Sequence, residues 1–267
     1  MTDCALLDDT YEGPREEPVL DPRTAAVKHV ILVVDESVRA DYLSINGFPR
    51  PTTPYLKTVE GKTLNYGAAL AGSGCSAYSH VIMRSGLQPR DVPDTTFLEL
   101  CAADVFQYAQ AAGYRLQYLD GQVSSIRTNN MLTHYDEQHI DWFYQHSDLH
   151  RPDTEAAVKF ASLREAYAER GDALLARILS ESLDRGSHTF SLVVKAGAHF
   201  HYEDRYPRDA PRVFAPTLVR DEPLGDRERT VNSYLNALRW TVDGFFAELL
   251  PALDGRDYVL IYTSDHG

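Results

Sequence analysis

An α/β fold built on a mostly parallel central sheet is predicted by three features of the 267-residue chain. Two runs of β-branched and aliphatic residues, Val30-Ile31-Leu32-Val33-Val34 near the start and Tyr258-Val259-Leu260-Ile261-Tyr262 at the end, are bounded by polar residues. Such runs read as strands buried on both faces. Between them, strand-like and helix-like patterns alternate, as βαβ units require. The third feature is the placement of two polar clusters, Asp35-Glu36 and Asp265-His266, each closely following one of the runs. In open parallel sheets ligands bind beyond the carboxyl ends of the strands.

In chain order, Met1 to Ala26 carries Asp8-Asp9, Glu16-Glu17 and the prolines Pro14, Pro18 and Pro22 without periodicity, and is expected to be a flexible tail or linker. A single domain is expected over 27–267. Strands are predicted near 29–34, 64–70, 115–119, 189–194 and 258–262, and helices near 76–85, 96–112, 155–183 and 227–249. The spacing of Phe97, Leu98, Cys101, Val105 and Tyr108 predicts an amphipathic helix stopped by Gly113, with Cys101 in the core. Leu174, Leu175, Ile178, Leu179 and Leu183 predict another, stopped by Gly186. The region 121–153, rich in Asn, His and Tyr, reads as an irregular insertion.

Composition narrows the function classes. Charged residues at 24% and hydrophobic residues at 43% describe an ordinary globular protein. A net charge of -13 argues against nucleic acid as a partner, because phosphate backbones need compensating Lys and Arg. Cys4, Cys75 and Cys101 form no metal-binding pair and leave an odd thiol if two were bridged. No stretch reaches the ~18 consecutive apolar residues of a membrane span, and the first residues lack the basic-then-apolar order of a signal peptide.

Two kinds of chemistry suggest themselves. Carboxylates and an imidazole emerging from two strand ends can hold a divalent metal, with zinc favoured when His joins Asp and Glu. The turn Ala71-Gly72-Ser73-Gly74-Cys75-Ser76 then runs into the helix beginning Ser76-Ala77-Tyr78-Ser79-His80. A nucleophile at a helix N-terminus gains from the dipole and the backbone N–H groups; a serine there also serves as a plain N-cap.

The segment Val33-Val34-Asp35-Glu36-Ser37-Val38-Arg39-Ala40-Asp41, continuing through Asn46-Gly47-Phe48-Pro49-Arg50 and Thr52-Thr53-Pro54, resembles the opening of a catalytic domain in the alkaline phosphatase-like sulfatases and phosphoethanolamine transferases. Ser264-Asp265-His266-Gly267 is similar to that family's Ser-Asp-His-Gly motif. Gly197-Ala198-His199 with Arg205-Tyr206-Pro207, and Val231-Asn232-x-Tyr234-x-Asn236-x-Leu238, resemble elements between them. The resemblance implies a three-layer α/β sandwich in which Glu36, Asp265 and His266 bind zinc. One or two Zn²⁺ ions are expected, or Ca²⁺ or Mg²⁺ in a sulfatase. Asp35 is a further candidate ligand, since sulfatases use a consecutive Asp pair.

The nucleophile departs from the pattern. Both family registers place Ser76 where transferases carry Thr and sulfatases the residue that becomes formylglycine, but Tyr78 and His80 replace the sulfatase Pro and Arg. Ser76 is therefore expected to act as an alkoxide, with Cys75 as the second candidate and His199 beside the transferred group. The resemblance implies phosphoethanolamine transfer from a phospholipid donor to a glycolipid or glycan acceptor on the periplasmic side of the inner membrane, close to the bilayer. The alternatives are a sulfatase or phosphodiesterase-type hydrolase and a catalytically incomplete domain, since the family's chain normally continues past Asp-His-Gly.

Overall fold

The computed structural model describes residues 15–21, 27–92, 101–122, 131–146, 164–186, 188–219, 222 and 225–267. Five strands form one sheet: β1 (His29–Asp35), β2 (Arg115–Asp120), β3 (Trp142–Gln145), β4 (Thr189–Val194) and β5 (Tyr258–Ser264), in the order β3-β2-β4-β1-β5. Every pairing is parallel, so all carboxyl ends share one edge. The apolar strand runs dictate this arrangement, because a parallel sheet must be covered on both faces.

Helices supply that cover: α1 (Pro54–Thr58), α2 (Ser76–Ser85), α3 (Val105–Ala111), α4 (His134–Glu137), α5 (Arg164–Ser182), α6 (Arg227–Leu238) and α7 (Gly244–Ala252). Strand alternation sends Ile31 and Val33 of β1 to one core, with Leu174, Leu175, Ile178 and Leu179 of α5 and Phe245, Phe246 and Leu249 of α7. Val34 goes to the other, with Phe106 and Ala109 of α3. The result is the expected three-layer arrangement. Each fully buried Leu or Phe contributes about 1.5–3 kcal/mol relative to an exposed one.

The expected strands at 29–34, 115–119, 189–194 and 258–262 and the helix at 76–85 form within a residue or two. The long helix expected over 227–249 runs from Arg227 to Ala252 through a π-helical turn, Arg239–Asp243. Of the helix expected over 155–183, the part from Arg164 is helical, and residues 155–163 lie outside the described residues.

Four expectations need correction. The segment expected as a strand over 64–70 pairs with no strand and is exposed throughout, with Leu64 at 86%, Tyr66 at 91% and Leu70 at 99%. Gly67, at φ 75° in the left-handed region, breaks the alternation that a strand needs. The helix expected from 96 begins at Val105, where Asp104 caps it by accepting from the Phe106 and Gln107 amides. Cys101 consequently precedes the helix and is exposed, and Tyr108 is exposed while Phe106 and Ala109 are buried; Phe97 and Leu98 lie outside the described residues. Within the expected insertion, Trp142–Gln145 forms β3 against β2. The Tyr258–Tyr262 run is not buried on both faces, since β5 ends the sheet and leaves Val259 43% and Ile261 50% exposed.

Part of the expected tail is docked. Arg15 is buried and pairs with Asp136 at 3.0 Å, while the Glu16 amide donates to the Cys101 carbonyl at 2.7 Å. Residues 1–14 and 22–26 lie outside the described residues.

Candidate metal centre and nucleophile

The carboxyl ends of β1, β4 and β5 meet because these strands are neighbours. Their ladders continue past the last strand residues, with Asp265 N–H donating to the Asp35 carbonyl and Lys195 N–H to the Val34 carbonyl, both at 2.9 Å. Glu36 thereby lies beside Asp265 and His266, more than two hundred residues away in sequence. Ser37 makes the turn: its φ of 58° is rare for a residue with a side chain. Its amide donates to Asp265 Oδ1 at 3.1 Å and its hydroxyl to Glu36 Oε1 at 2.6 Å. Tyr234 holds the turn from α6, donating to the Ser37 carbonyl and accepting from the Arg39 amide, both at 2.9 Å.

Glu36, Asp265 and His266 each offer a ligand atom, all within 4.8 Å of one another. His266 Nε2 lies 3.3 Å from Glu36 Oε1 and 3.5 Å from Asp265 Oδ2. Burial by itself would raise the Glu36 carboxyl, but hydrogen bonds from His266 and Ser37 outweigh it and hold the group at about 2. Asp265 is pushed up to about 7 by burial and by repulsion from Glu36. The hydrogen bond to Glu36 raises His266. Asp265 Oδ2 is buried without a hydrogen-bond partner. A cation between these groups would satisfy that oxygen and relieve the repulsion, so the residues fit a divalent metal, and two carboxylates with an imidazole suit zinc.

Ser76 stands at the first position of α2, with its hydroxyl 3.1 Å from Glu36 Oε2 and 3.2 Å from His266 Nε2. The four residues singled out at both ends of the chain and at the nucleophile turn are thus brought together. Helix geometry leaves the amides of the first turn of α2 without acceptors inside the helix. One turn further along the same face, His80 is buried, its Nε2 has no hydrogen-bond partner, and burial lowers its pKa to about 3.

Other candidates fall elsewhere. Asp35 lies outside the ligand cluster: its carboxylate is ion-paired with Lys195, accepts from Tyr262 Oη at 2.8 Å and accepts from the Glu36 amide at 3.0 Å. Both its oxygens are engaged within the fold, and the cluster of candidate ligand atoms forms without it. Cys75 is disulfide-bonded, and in that state it has no thiolate to act as a nucleophile. His199 is exposed, its Nδ1 paired with the Phe200 carbonyl and its own carbonyl accepting from Arg205 Nε at 2.7 Å. Its loop does abut the cluster, since Ala198 N–H donates to the Glu36 carbonyl at 2.9 Å. Gly197 permits that approach. With φ 55°, a Cβ there would lie 2.4 Å from the Glu36 carbonyl oxygen and 2.5 Å from Asp35 Oδ1.

Lys195, a candidate in the sequence for charge neutralisation or a structural salt bridge, forms salt bridges with Asp35 and Asp172. Two further participants, Asp172 and Gln122, carry no signal in local pattern. Asp172 on α5 accepts from the Ala196 and Gly197 amides at 3.0 and 3.1 Å and lies 3.6 Å from Lys195 Nζ. Lys195, fully buried, also donates to the Thr241 carbonyl at 2.7 Å, a group in the π-helical turn. Gln122, two residues past β2, donates to Glu36 Oε2 at 3.2 Å.

Comparison with known proteins agrees with this geometry. The Sulfatase family model matches residues 28–267. The chain belongs to the sulfatase family. Among curated sulfatase-family relatives, Kdo(2)-lipid A phosphoethanolamine 7''-transferase of Escherichia coli (strain K12) is 25% identical over 260 residues, covering 92% of this chain and 40% of that protein. Phosphoethanolamine transferase CptA of Salmonella typhimurium is 26% identical over 249 residues, covering 91% and 40%. The chain therefore spans about two-fifths of the length of these relatives. The soluble domain of lipooligosaccharide phosphoethanolamine transferase A from Neisseria meningitidis shares the fold, with a TM-score of 0.71 at 23% identity over 93% of this chain and 70% of that one. The C-terminal periplasmic domain of EcEptC from Escherichia coli, a complex with Zn, gives 0.64 at 22% identity over 95% and 68%.

Proposed function

We propose that the chain is the catalytic part of a zinc-dependent phosphoethanolamine transferase that works through a covalent phosphoethanolamine ester on Ser76. The observation that carries this reading is the Ser76 hydroxyl at 3.1 Å from Glu36 and 3.2 Å from His266, inside a cluster fit for a divalent cation. Glu36, Asp265 and His266 would hold the zinc, which supplies Lewis-acid stabilisation of negative charge on oxygen.

The chain's own groups account for the rest. Glu36 Oε2, which accepts from the Ser76 hydroxyl, is placed to take the Ser76 proton. Ser76 Oγ then forms a bond to phosphorus while the bond from phosphorus to the glycerol oxygen of the donor breaks, and that oxygen leaves with a proton. In the second half an acceptor oxygen attacks the same phosphorus, the bond from phosphorus to Ser76 Oγ breaks, and the proton lost by the acceptor restores the Ser76 hydroxyl. The α2 N-terminus stabilises negative charge on the phosphoryl oxygens. His199 lies on the loop fixed to the Glu36 backbone, where closure on a bound donor would bring its imidazole to the transferred group.

The relatives' names support phosphoethanolamine as the transferred group and a lipid A-type acceptor, and a further relative named as a phosphatidylethanolamine transferase supports a phospholipid donor. A periplasmic location is supported by the structural relative named as a periplasmic domain, and the disulfide at Cys75 suits an oxidising compartment. Among the described residues no helix is long and apolar enough to cross a membrane.

The test is the mass of the peptide containing Cys75 and Ser76 after zinc-loaded protein is incubated with phosphatidylethanolamine. A phosphoethanolamine adduct on Ser76 is expected, and Ser76→Ala should lose the adduct and more than about 10³-fold in turnover while still binding zinc. Formylglycine at Ser76 would make the protein a sulfatase. Free phosphoethanolamine without transfer would make it a hydrolase. A chain that takes up no zinc and forms no adduct is catalytically incomplete.

A further inference from the structure

We propose that Gln122 is a positioning residue of the metal centre, holding the Glu36 carboxylate in the orientation that serves both the cation and Ser76. The inference rests on the zinc-dependent reading above. Gln122 Nε2 donates to Glu36 Oε2 at 3.2 Å and to the Lys195 carbonyl at 3.3 Å. Both partners are acceptors only, so the carboxamide can face them with its nitrogen alone, and both amide hydrogens are used.

Glu36 Oε2 is the same oxygen that accepts from Ser76 Oγ, whereas Oε1 accepts from Ser37. Each carboxylate oxygen thus has a donor that does not take part in the reaction: Ser37 on Oε1 and Gln122 on Oε2. When Ser76 gives up its proton, Oε2 loses one of its two donors. The Gln122 N–H then keeps the carboxylate from rotating. Through its second hydrogen bond the same side chain ties the loop after β2 to the one after β4, the strand that separates β2 from β1 and Glu36.

The backbone under Gln122 is itself fixed. The Gly121 amide donates to the Val194 carbonyl at 2.7 Å, and the Gln122 amide donates to Asp120 Oδ1 at 2.7 Å. A Cβ on residue 121 would meet Leu175 Cδ2 at 3.0 Å and the Val194 carbonyl oxygen at 3.2 Å. Glycine is what lets β2 pass close enough to β4 for the next side chain to reach Glu36. A glutamine held in this way is organised before any ligand arrives, the property by which groups behind a metal ligand tune the site.

The test compares wild type, Gln122→Met and Gln122→Ala, with Gln145→Met as control. Gln145 is a half-buried glutamine on β3 that donates to Asp120 and not to Glu36. Zinc affinity is measured by competition with a chromophoric chelator, thermal unfolding on the metal-free proteins, and kcat and KM with phosphatidylethanolamine as donor. Both Gln122 variants should bind zinc about tenfold more weakly and lose kcat at unchanged KM, with metal-free unfolding temperatures matching the control. Gln145→Met should keep wild-type zinc affinity. Wild-type zinc affinity and kcat in both Gln122 variants would overturn the inference, as would an equal loss in Gln145→Met. Wild-type protein that takes up no zinc would overturn the functional reading and this inference together.

Discussion

Lys195 carries its charge at a position with no exposure to solvent, flanked by Asp35 and Asp172 and lying 4.6 Å from the centre of the Phe245 ring. Removing one member of such a group leaves an uncompensated charge in the core, which costs about 3–5 kcal/mol. Lys195→Met should destabilise by that amount in urea unfolding, whereas Lys195→Met with Asp35→Asn should cost less than the sum of the single changes, by about 0.5–3 kcal/mol. Strict additivity would mean that the pair is not coupled. Asp35 is a candidate metal ligand in the sequence because it adjoins Glu36 as the first of the two acidic residues that sulfatases use as a consecutive Asp pair. Adjacent residues at a strand end point to opposite sides, and which side holds the cluster is decided by β5, a partner that local pattern does not reveal. Asp265 and His266 stand out in the sequence as a polar cluster behind an apolar run, whereas Ser76, on its own segment an ordinary N-cap, is picked out by the family resemblance. Gln122, Asp172 and His80 interrupt nothing, and only the fold brings them near Glu36.

At the scale of elements, the turn from β4 into the His199 loop is a tightly constrained joint. Gly197 combines a left-handed φ with a backbone contact to Glu36 that leaves no room for a methyl group. A side chain there costs roughly 1–2 kcal/mol in backbone strain and about 1–3 kcal/mol in overpacking. Gly197→Ala should therefore lower unfolding stability by about 2–5 kcal/mol and weaken zinc binding, because Glu36 is what must move. Undiminished zinc affinity in this variant would show that the loop is not coupled to the cluster. Local pattern foretold the extent of α2 because Gly86, at φ 70°, terminates it as glycine does elsewhere. It failed at 64–70, where apolar composition suited a strand but no neighbouring strand pairs with it. It also missed β3, only four residues long, whose place depends on β2 rather than on its own composition.

For the molecule as a whole, charge sets the response to pH. Asp265 and Asp104 lie at about 7 and Asp120 at about 8, each raised chiefly by burial from an ordinary 3.8. Between the ordinary and the raised values the folded chain keeps protons that the unfolded chain has released, so stability falls as pH rises, by about 1.4 kcal/mol per unit for each such proton. His80 works in the opposite sense between its folded value of about 3 and its ordinary 6.5, as do the lowered His29 and His139, whereas the raised Asp35, Asp243 and His266 act in the same sense as the three carboxyls. The net charge of -13 adds repulsion in the same direction as the carboxyls. Zinc-free protein should unfold at a higher temperature at pH 5 than at pH 8 (values chosen to bracket those windows). Saturating zinc should raise the unfolding temperature more at the higher pH, where Asp265 is ionised and ready to bind. Scanning calorimetry with and without zinc checks both signs, and a zinc-free protein more stable at the higher pH would refute them.

The sheet order places β5 against β1, so the ligands on either side of the cluster come from opposite ends of the chain. A ribosome delivers Glu36 first and Asp265 and His266 some 229 residues later, the spacing of Glu36 and Asp265 in the chain. Every shorter nascent chain has a β1 with an unpaired flank and one carboxylate where three ligands are needed. Such a chain cannot assemble the cluster, so capture of a divalent cation would report that β5 has docked against β1.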